Sequence, residues 1–469
     1  MTLTDVLVDF AQLSVLMIVA AWLRRKIYAL QRFYIPAALL AGILAILCGP
    51  QVLGQVSPIH MEFTTLGQWS GVLSAIVFSC SFLGLKLNKV GAGAMQTYFL
   101  GGTIHQLQIV VGLTLTFLLG LFIQDLPLGF GLLPVMGYYG GHSMAIAVGT
   151  TFVENGYMES GIELGTTFAT VGLLCGVIWG MIIINRAAKS GKTSIKMKIE
   201  DLPKDMLTGY YEPGHRPSLG NSVTSSATLD PLGAQLMMVG LIIMGGYLLR
   251  TGLMAINPFF SNLPLFACCL IFSAVFCICT QKSAKINDMI DRPTVVRISG
   301  TALEYLIVSA LATTNLGVFV TYAVPLIVVC IGVSIVTYWA CFILGKRVLP
   351  KNGQFETGIG LFGQCCGVLA TGLLLLKIVD PDYKTNAATN ITSSSTLGYT
   401  YQLQYTLIFA TLIMTSPLFT YIWSWLCCWA AGSSSDAAST LEGNERSSLS
   451  GAPPELRAGL LSRITSQMR

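Results

Sequence analysis

The sequence predicts an all-α membrane protein with about ten transmembrane helices in two inverted five-helix repeats, each carrying a glycine-rich re-entrant or broken segment. Three observations predict it. Charged residues are only 10 % of the 469 and hydrophobic residues are 53 %, with a mean hydropathy of +0.69. Soluble domains carry about 25 % charge, so this chain has too little to cover several soluble surfaces. Apolar runs recur at the length of about 20 residues that crosses a hydrocarbon core. Finally, lysine and arginine are distributed very unequally between alternate loops, as spanning helices require.

Ten runs read as spans: 5–23, 36–53, 69–85, 95–123, 164–185, 232–250, 264–281, 298–314, 318–344 and 400–426. The first begins at Leu3 with no basic stretch ahead of it. Arg24, Arg25 and Lys26 stand where a small-residue cleavage site would follow, so it reads as a retained span. One set of alternate loops holds all but five of the 27 lysines and arginines; the facing set holds Arg250 alone, and the other four lie in the tail. The basic set is expected on the cytoplasmic side, with both termini outside. Trp423, Trp425 and Trp429 fit an interfacial aromatic belt.

Two stretches, 127–150 and 353–377, are apolar but too rich in Gly and Pro for straight helices. Irregular backbone at membrane depth survives only where protein or a watery cavity supplies its hydrogen-bond partners, so both point to a cavity. Counting them as segments that enter and return keeps the charge alternation intact. They also repeat. Gly137-Tyr-Tyr-Gly140 aligns with Gly360-Leu-Phe-Gly363 at a shift of 223, which also sets Gly149 on Gly372. Ser70-Gly71 and Ser299-Gly300 open spans at a shift of 229. Each half then has five spans, an odd number, and the halves run in opposite senses. The expected organisation is a first transmembrane repeat over 1–185, a cytoplasmic linker over 186–231, an inverted repeat over 232–430 and a disordered tail over 431–469.

Several classes are excluded or disfavoured. The net charge of +5 sits almost wholly in loops, so no nucleic-acid footprint is implied, and the 13 cysteines fall mostly in apolar runs without metal-site spacing. There is no HExxH, nucleophile elbow or Walker loop, which argues against an enzyme, a bound cofactor or an ATP-driven pump. Paired broken segments in inverted halves instead indicate a secondary transporter. A channel is disfavoured because pores rest on rings of equivalent residues.

Broken helices serve an anion and a cation together, since freed N–H groups face the anion and freed carbonyls the cation. The candidate binding residues are Gly140, Gly141, His142 and Ser143 in the first broken segment and Gly363, Gln364, Gly367 and Thr371 in the second, with Glu163 and Thr167 in the fifth span. The glycines let bare backbone approach a ligand; His142 could donate to a carboxylate or exchange protons. Thr166, Thr170, Asn386 and Asn390 read as helix-packing polar residues, His105 as structural, and Glu304 as an ion-pair partner of Arg297.

The N-terminal half resembles the bacterial sodium/glutamate symporters. The resemblance is carried by the basic turn before Ile35-Pro36, by Ala41-Gly42, by Gly140-Gly141-His142, and by Glu163 through Ala169-Thr170 to Gly172. It covers most of 1–185 and, more loosely, 232–425. It departs at Ser143, where the family usually has glycine. It departs again in the second segment, where Gly363-Gln-Cys-Cys-Gly367 keeps only the frame and Val368-Leu-Ala-Thr-Gly-Leu replaces a Thr/Pro-rich run. The resemblance implies a homodimer in the cell membrane, with scaffold and transport domains, taking up glutamate with sodium as the coupling ion. A proton-coupled or uncoupled transporter, or a channel, for another small organic anion remains the alternative.

Overall fold

The computed structural model describes residues 2–32, 35–85, 91–124, 126–190, 210–211, 216–257, 260, 263–281, 283–380, 384–405 and 409–430. The expected disordered tail, half of the linker, and Lys86 and Lys89 lie outside the described residues. Among the described residues every regular element is helical.

The first half runs α1 (Leu3–Lys26), α2 (Ala37–Cys48), α3 (Trp69–Ser79), α4 (Ala92–Gly120), α5 (Leu133–Tyr138), α6 (Gly141–Glu154) and α7 (Gly161–Lys189). The second runs α8 (Pro231–Ile256), α9 (Leu265–Thr280), α10 (Arg292–Ala312), α11 (Ala323–Trp339), α12 (Gln354–Val379), α13 (Ala387–Leu397), α14 (Tyr399–Gln404) and α15 (Ala410–Thr415). The termini follow helix chemistry. A Thr2/Asp5 capping box starts α1, and Arg24, Arg25 and Lys26 close it against the negative end of its dipole. Asp230 and Asp291 cap α8 and α10, each with proline in the first turn.

Among the described residues eight helices are long and apolar enough to cross a membrane, and the chain is a multi-pass membrane protein. They include α2 extended to Gln55 and α11 extended through a π-turn at Ala340–Leu344 to Val348. They also include α12, but its dihedrals break at Gly367 and Val368, so it is two limbs rather than one rod.

Three expected spans take other forms. The expected span 69–85 is helical only to Ser79, because Arg292 donates to the carbonyls of Cys80 (2.5 Å) and Leu83 (2.8 Å) and satisfies groups that a longer helix would have paired. The expected span 264–281 has 16 helical residues. The expected span 400–426 begins earlier, as α13, and is interrupted at Ser416 just before Pro417. The polar run in α13 is helical because Ala387, Asn390, Ile391 and Ser394, at helical spacing, turn inward.

Both broken segments fold back on themselves. Between Gly129 and Tyr157 a straight helix would span about 42 Å, yet the Gly129 amide donates to the Tyr157 hydroxyl at 3.0 Å. From Gly363 to Gly372 it would span about 13 Å, yet a Cβ on Gly363 would lie 2.8 Å from the Gly372 Cα. The first hairpin is therefore α5–α6 and the second is α12.

Helix α7 carries both hairpins on one small-residue face. Gly161 lies against Gly149 and Gly165 against Ala145. Ala169 meets Gly137, and Gly172 meets Tyr138 and Cys366. Gly176 meets Cys366 and Thr371, and Gly180 meets Leu375. A methyl group at most of these positions would meet backbone or buried side chain within 3.2 Å. The three- and four-residue spacing is what aligns them on one face.

A separate apolar cluster joins α1, α2 and α10. Beside it, Asp9 is 1 % exposed. It accepts from the Thr64 amide (3.2 Å), the Thr65 amide (2.7 Å) and the Thr65 hydroxyl (2.6 Å), pinning the loop before α3 onto α1. Removing the carboxylate strands these donors, at about 1–3 kcal/mol for a buried orphan group. Asp9→Ala is expected to lower the detergent-solubilised melting midpoint by several degrees; a midpoint equal to wild type would show the loop is held by other contacts.

Glu304 does not pair with Arg297. They lie two turns apart on an exposed face of α10, and neither forms an ion pair among the described residues. Two turns separate them by about 10 Å of rise, too far for direct contact.

Candidate functional site

The site is organised along α4, a 29-residue helix whose buried face carries Thr97, Gly101, His105 and Gln108. Following α4 from its N-terminus, Leu361 approaches Gly101, and the Cys365 thiol lies 3.6 Å from His105 Nε2. Gln108 Nε2 then donates to the Cys365 carbonyl at 3.0 Å and to the Thr337 hydroxyl at 2.8 Å. Following α4 from its C-terminus, Gly131 lies against Thr116 and Gly112, and the Tyr139 ring is tilted against that of His105 with centroids 3.7 Å apart. The hairpins thus arrive from opposite ends of α4, and their tips meet beside His105.

At the meeting point Gly141 has φ +65° and Val368 has φ +63°. A Cβ on Gly141 would sit 2.5 Å from Val368 Cγ1. The tip of each hairpin is therefore held in left-handed backbone, which costs little for glycine and about 1–2 kcal/mol for valine.

The remaining candidates fall into three groups. Gly140 and Gly363 are closely packed tip residues, Gly140 against Met136 and Met144, Gly363 against Thr371 and Gly372. Thr371 gives its hydroxyl proton to the Gly367 carbonyl, and Ser143 gives its own to the Gly140 carbonyl at 3.4 Å, so each covers a carbonyl freed by its break. His142 Nε2 lies 3.1 Å from the Thr170 hydroxyl, which gives its only proton to the Thr166 carbonyl at 2.9 Å. Thr170 can then only accept from His142. Nε2 therefore carries the proton and Nδ1 is left as an acceptor, suited to an ammonium group rather than a carboxylate.

Glu163 and Thr167 lie elsewhere. They occupy the first two turns of α7, where Thr167 donates to the Glu163 carbonyl at 2.7 Å. Thr167 lines an apolar cleft of about 340 Å³ against Leu39, Ile43 and Leu47 of α2. Glu163 has one carboxylate oxygen buried without a partner.

Between the tips, α4 and α13 is a cavity of about 10 Å³. Thr97, His105, Tyr139, Gln364, Ser394 and Tyr401 line it. Gln364 Oε1 and His105 Nδ1 are buried without hydrogen-bond partners. So, nearby, are Gln108 Oε1 and the Tyr405 hydroxyl. Buried polar atoms are normally paired, and this hole has room for roughly one water. The hole carries several polar groups and, at about 10 Å³, is too small for an amino acid in this conformation. Among the described residues no group of three or more His, Cys, Asp or Glu could hold a metal ion.

The sequence reads His105 as structural and does not single out Gln108; the structure places both beside the hairpin tips. The available signal was Thr97, Gly101, His105 and Gln108 at intervals of four, four and three residues inside an apolar span, a polar stripe that a lipid-facing helix cannot carry.

The description "sodium/glutamate symporter" belongs to the family model that matches residues 3–367. The chain belongs to the sodium/glutamate symporter family. The match takes in the first hairpin tip and ends at Gly367, at the start of the break in the second. A search of curated proteins returns no match. The family is one of transporters and not of enzymes, so the polar hole between the tips belongs to a transport protein.

His105→Phe keeps a ring against Tyr139 and removes both nitrogens. It is expected to lower substrate uptake at least about tenfold, the effect of 1.4 kcal/mol, with an unchanged melting midpoint. Wild-type uptake kinetics would return His105 to a packing role.

Proposed function

We propose that this symporter carries glutamate or a closely related acidic amino acid into the cell, with sodium as the coupling ion. One observation carries the reading: two hairpins from opposite ends of α4 meet tip to tip at Gly141 and Val368. The tips provide carbonyls where the first limbs end and amides where the second limbs begin. A cation and a carboxylate can therefore be held side by side. Gly140 to Ser143, Gly363, Gln364, Gly367 and Thr371 form this site, joined by His105 and Gln108. Glu163 and Thr167 stay outside it, beside the separate cleft against α2.

In this reading the hairpins are re-entrant, and 1–185 and 232–430 are inverted repeats joined by a linker over 186–231. The close approach of Gly137 to Phe168 has a counterpart 223 residues later, where Gly360 meets Ile391. The basic face is cytoplasmic, the membrane is the cell membrane, and the unit is a homodimer. The deciding experiment is counterflow of labelled glutamate and aspartate in proteoliposomes, with and without sodium. Sodium-dependent exchange of either is expected; exchange of neither, in protein that is folded and inserted, overturns the assignment.

A further inference from the structure

We infer that the basic cleft at the base of the second hairpin is an anion-binding vestibule that receives the carboxylates of the acidic amino acid on the cytoplasmic side. This rests on the transport reading for the identity of the anion, while the cleft's affinity for anions stands on its own geometry.

The cleft has a volume of about 680 Å³, within the range of about 300–1,000 Å³ typical of small-molecule sites. Its walls are the end of α7, the π-turn after α11 and the first turn of α12. Arg186 at the end of α7, Lys346 just after the π-turn and Lys351 in the turn before α12 line it, against one carboxylate, Glu356. Among the described residues none of the three cations forms an ion pair. Like charges gathered without partners around one cavity raise the local anion concentration. The first turn of α12 adds a second contribution of the same sign. Gly353 caps it with φ +71° and has no side chain to take the freed amides, so these N–H groups are left for solvent or a ligand. Ser190 and Tyr338 line the same space and add hydroxyls.

The cleft is also connected to the tips. Phe342, in the π-turn, contacts Tyr338, Phe355 and Phe362 with ring centroids 5.3, 6.1 and 5.9 Å apart. Phe355 lines the cleft, while Phe362 is buried four residues before Cys366 at the second tip. Through Phe342 these rings join the cleft wall to Phe362, the chain neighbour of Leu361, which lines the tip cavity of about 10 Å³. Phe342 sits on the π-turn over Ala340–Leu344, a kind of bulge frequent at functional sites.

The test uses the full chain with Ser190→Cys, in a background where Cys48, Cys175, Cys279, Cys427 and Cys428 are serine. Purified protein in neutral-lipid nanodiscs is alkylated with an anionic or a cationic thiosulfonate reagent. The anionic reagent is expected to react about tenfold faster relative to the cationic one, and Lys346→Gln with Lys351→Gln should abolish that preference. Glutamate should slow the reaction, whereas inorganic phosphate, or phosphatidylglycerol added to the nanodisc, should slow it less. No preference for the anionic reagent overturns the vestibule. Protection by phosphate or by phosphatidylglycerol but not by glutamate overturns the acidic amino acid as its ligand. Counterflow on the same preparation separates the two readings. Active transport without labelling bias defeats only the vestibule, and labelling bias without glutamate transport defeats only the transport assignment.

Discussion

Gly141→Val abolishes uptake while the protein remains folded and inserted: this is the largest effect expected of any single substitution. Two costs add at the position. At φ +65° a β-branched residue pays about 1–2 kcal/mol in backbone strain. The new Cβ also meets Val368 Cγ1 at 2.5 Å, and overpacking of this kind costs about 1–3 kcal/mol more. A combined cost near 4 kcal/mol in the tip-to-tip state corresponds to about a thousandfold loss in its population. The effect is local, because the neighbouring residues of α6 rest on α7 and not on Val368. A companion variant separates the two causes. Gly141→Ala combined with Val368→Ala removes the Cγ1 contact and keeps the strain, so it should recover a substantial fraction of the uptake that Gly141→Ala alone loses. Uptake of labelled glutamate per unit of surface-biotinylated protein measures all three. Native kinetics in Gly141→Val would show that the tips need not meet, and the glycine would return to a packing role.

Much of this arrangement was legible in the sequence because its causes are local. The basic clusters at Arg24–Lys26 and beyond Arg186, the glycine spacing of 137 and 140 against 360 and 363, and the apolar run lengths each act through nearest neighbours or through the bilayer itself. The breaks fell within the expected segments for the same reason. What was not legible depends on partners distant in the chain. The end of α3 at Ser79 is set by Arg292, and nothing within 69–85 announces it. The helix over Ala387–Leu397 looks too polar for a span until Gly93 and Gly360 are found beside Asn390 and Ile391. His105 reads as an isolated histidine in sequence, and becomes the meeting point of two hairpins only when Tyr139 and Cys365 are brought to it from either side. Thr167 was chosen for its hydroxyl, which donates to the Glu163 carbonyl and lies at a cleft apart from the tips. Single-residue chemistry nominates such positions; long-range contacts decide between them.

The second large effect is energetic. Uptake into proteoliposomes at a fixed sodium gradient is expected to rise steeply when the interior is made negative with potassium and valinomycin. Concentrating an anionic amino acid tenfold costs about 1.4 kcal/mol, and moving its net negative charge inward against 100 mV costs about 2.3 kcal/mol more. A uniporter would therefore lose the substrate from a polarised compartment. Entry with two sodium ions makes the moved charge positive, so the same potential contributes about 2.3 kcal/mol in favour. Two ions moving down a tenfold gradient add about 2.7 kcal/mol, and the combined drive of about 5 kcal/mol supports accumulation of roughly a thousandfold or more. In the proposed mechanism the pairing takes place at the tips. There the carbonyls ending the first limbs, the orphaned Gln364 Oε1 and the amides opening the second limbs stand within one site once a hairpin shifts. Uptake indifferent to an inside-negative potential would exclude net positive transfer and limit the coupling to a single sodium ion. Uptake that persists in choline and collapses without a pH gradient would move the coupling to protons, with His105 and His142 as the groups to substitute next.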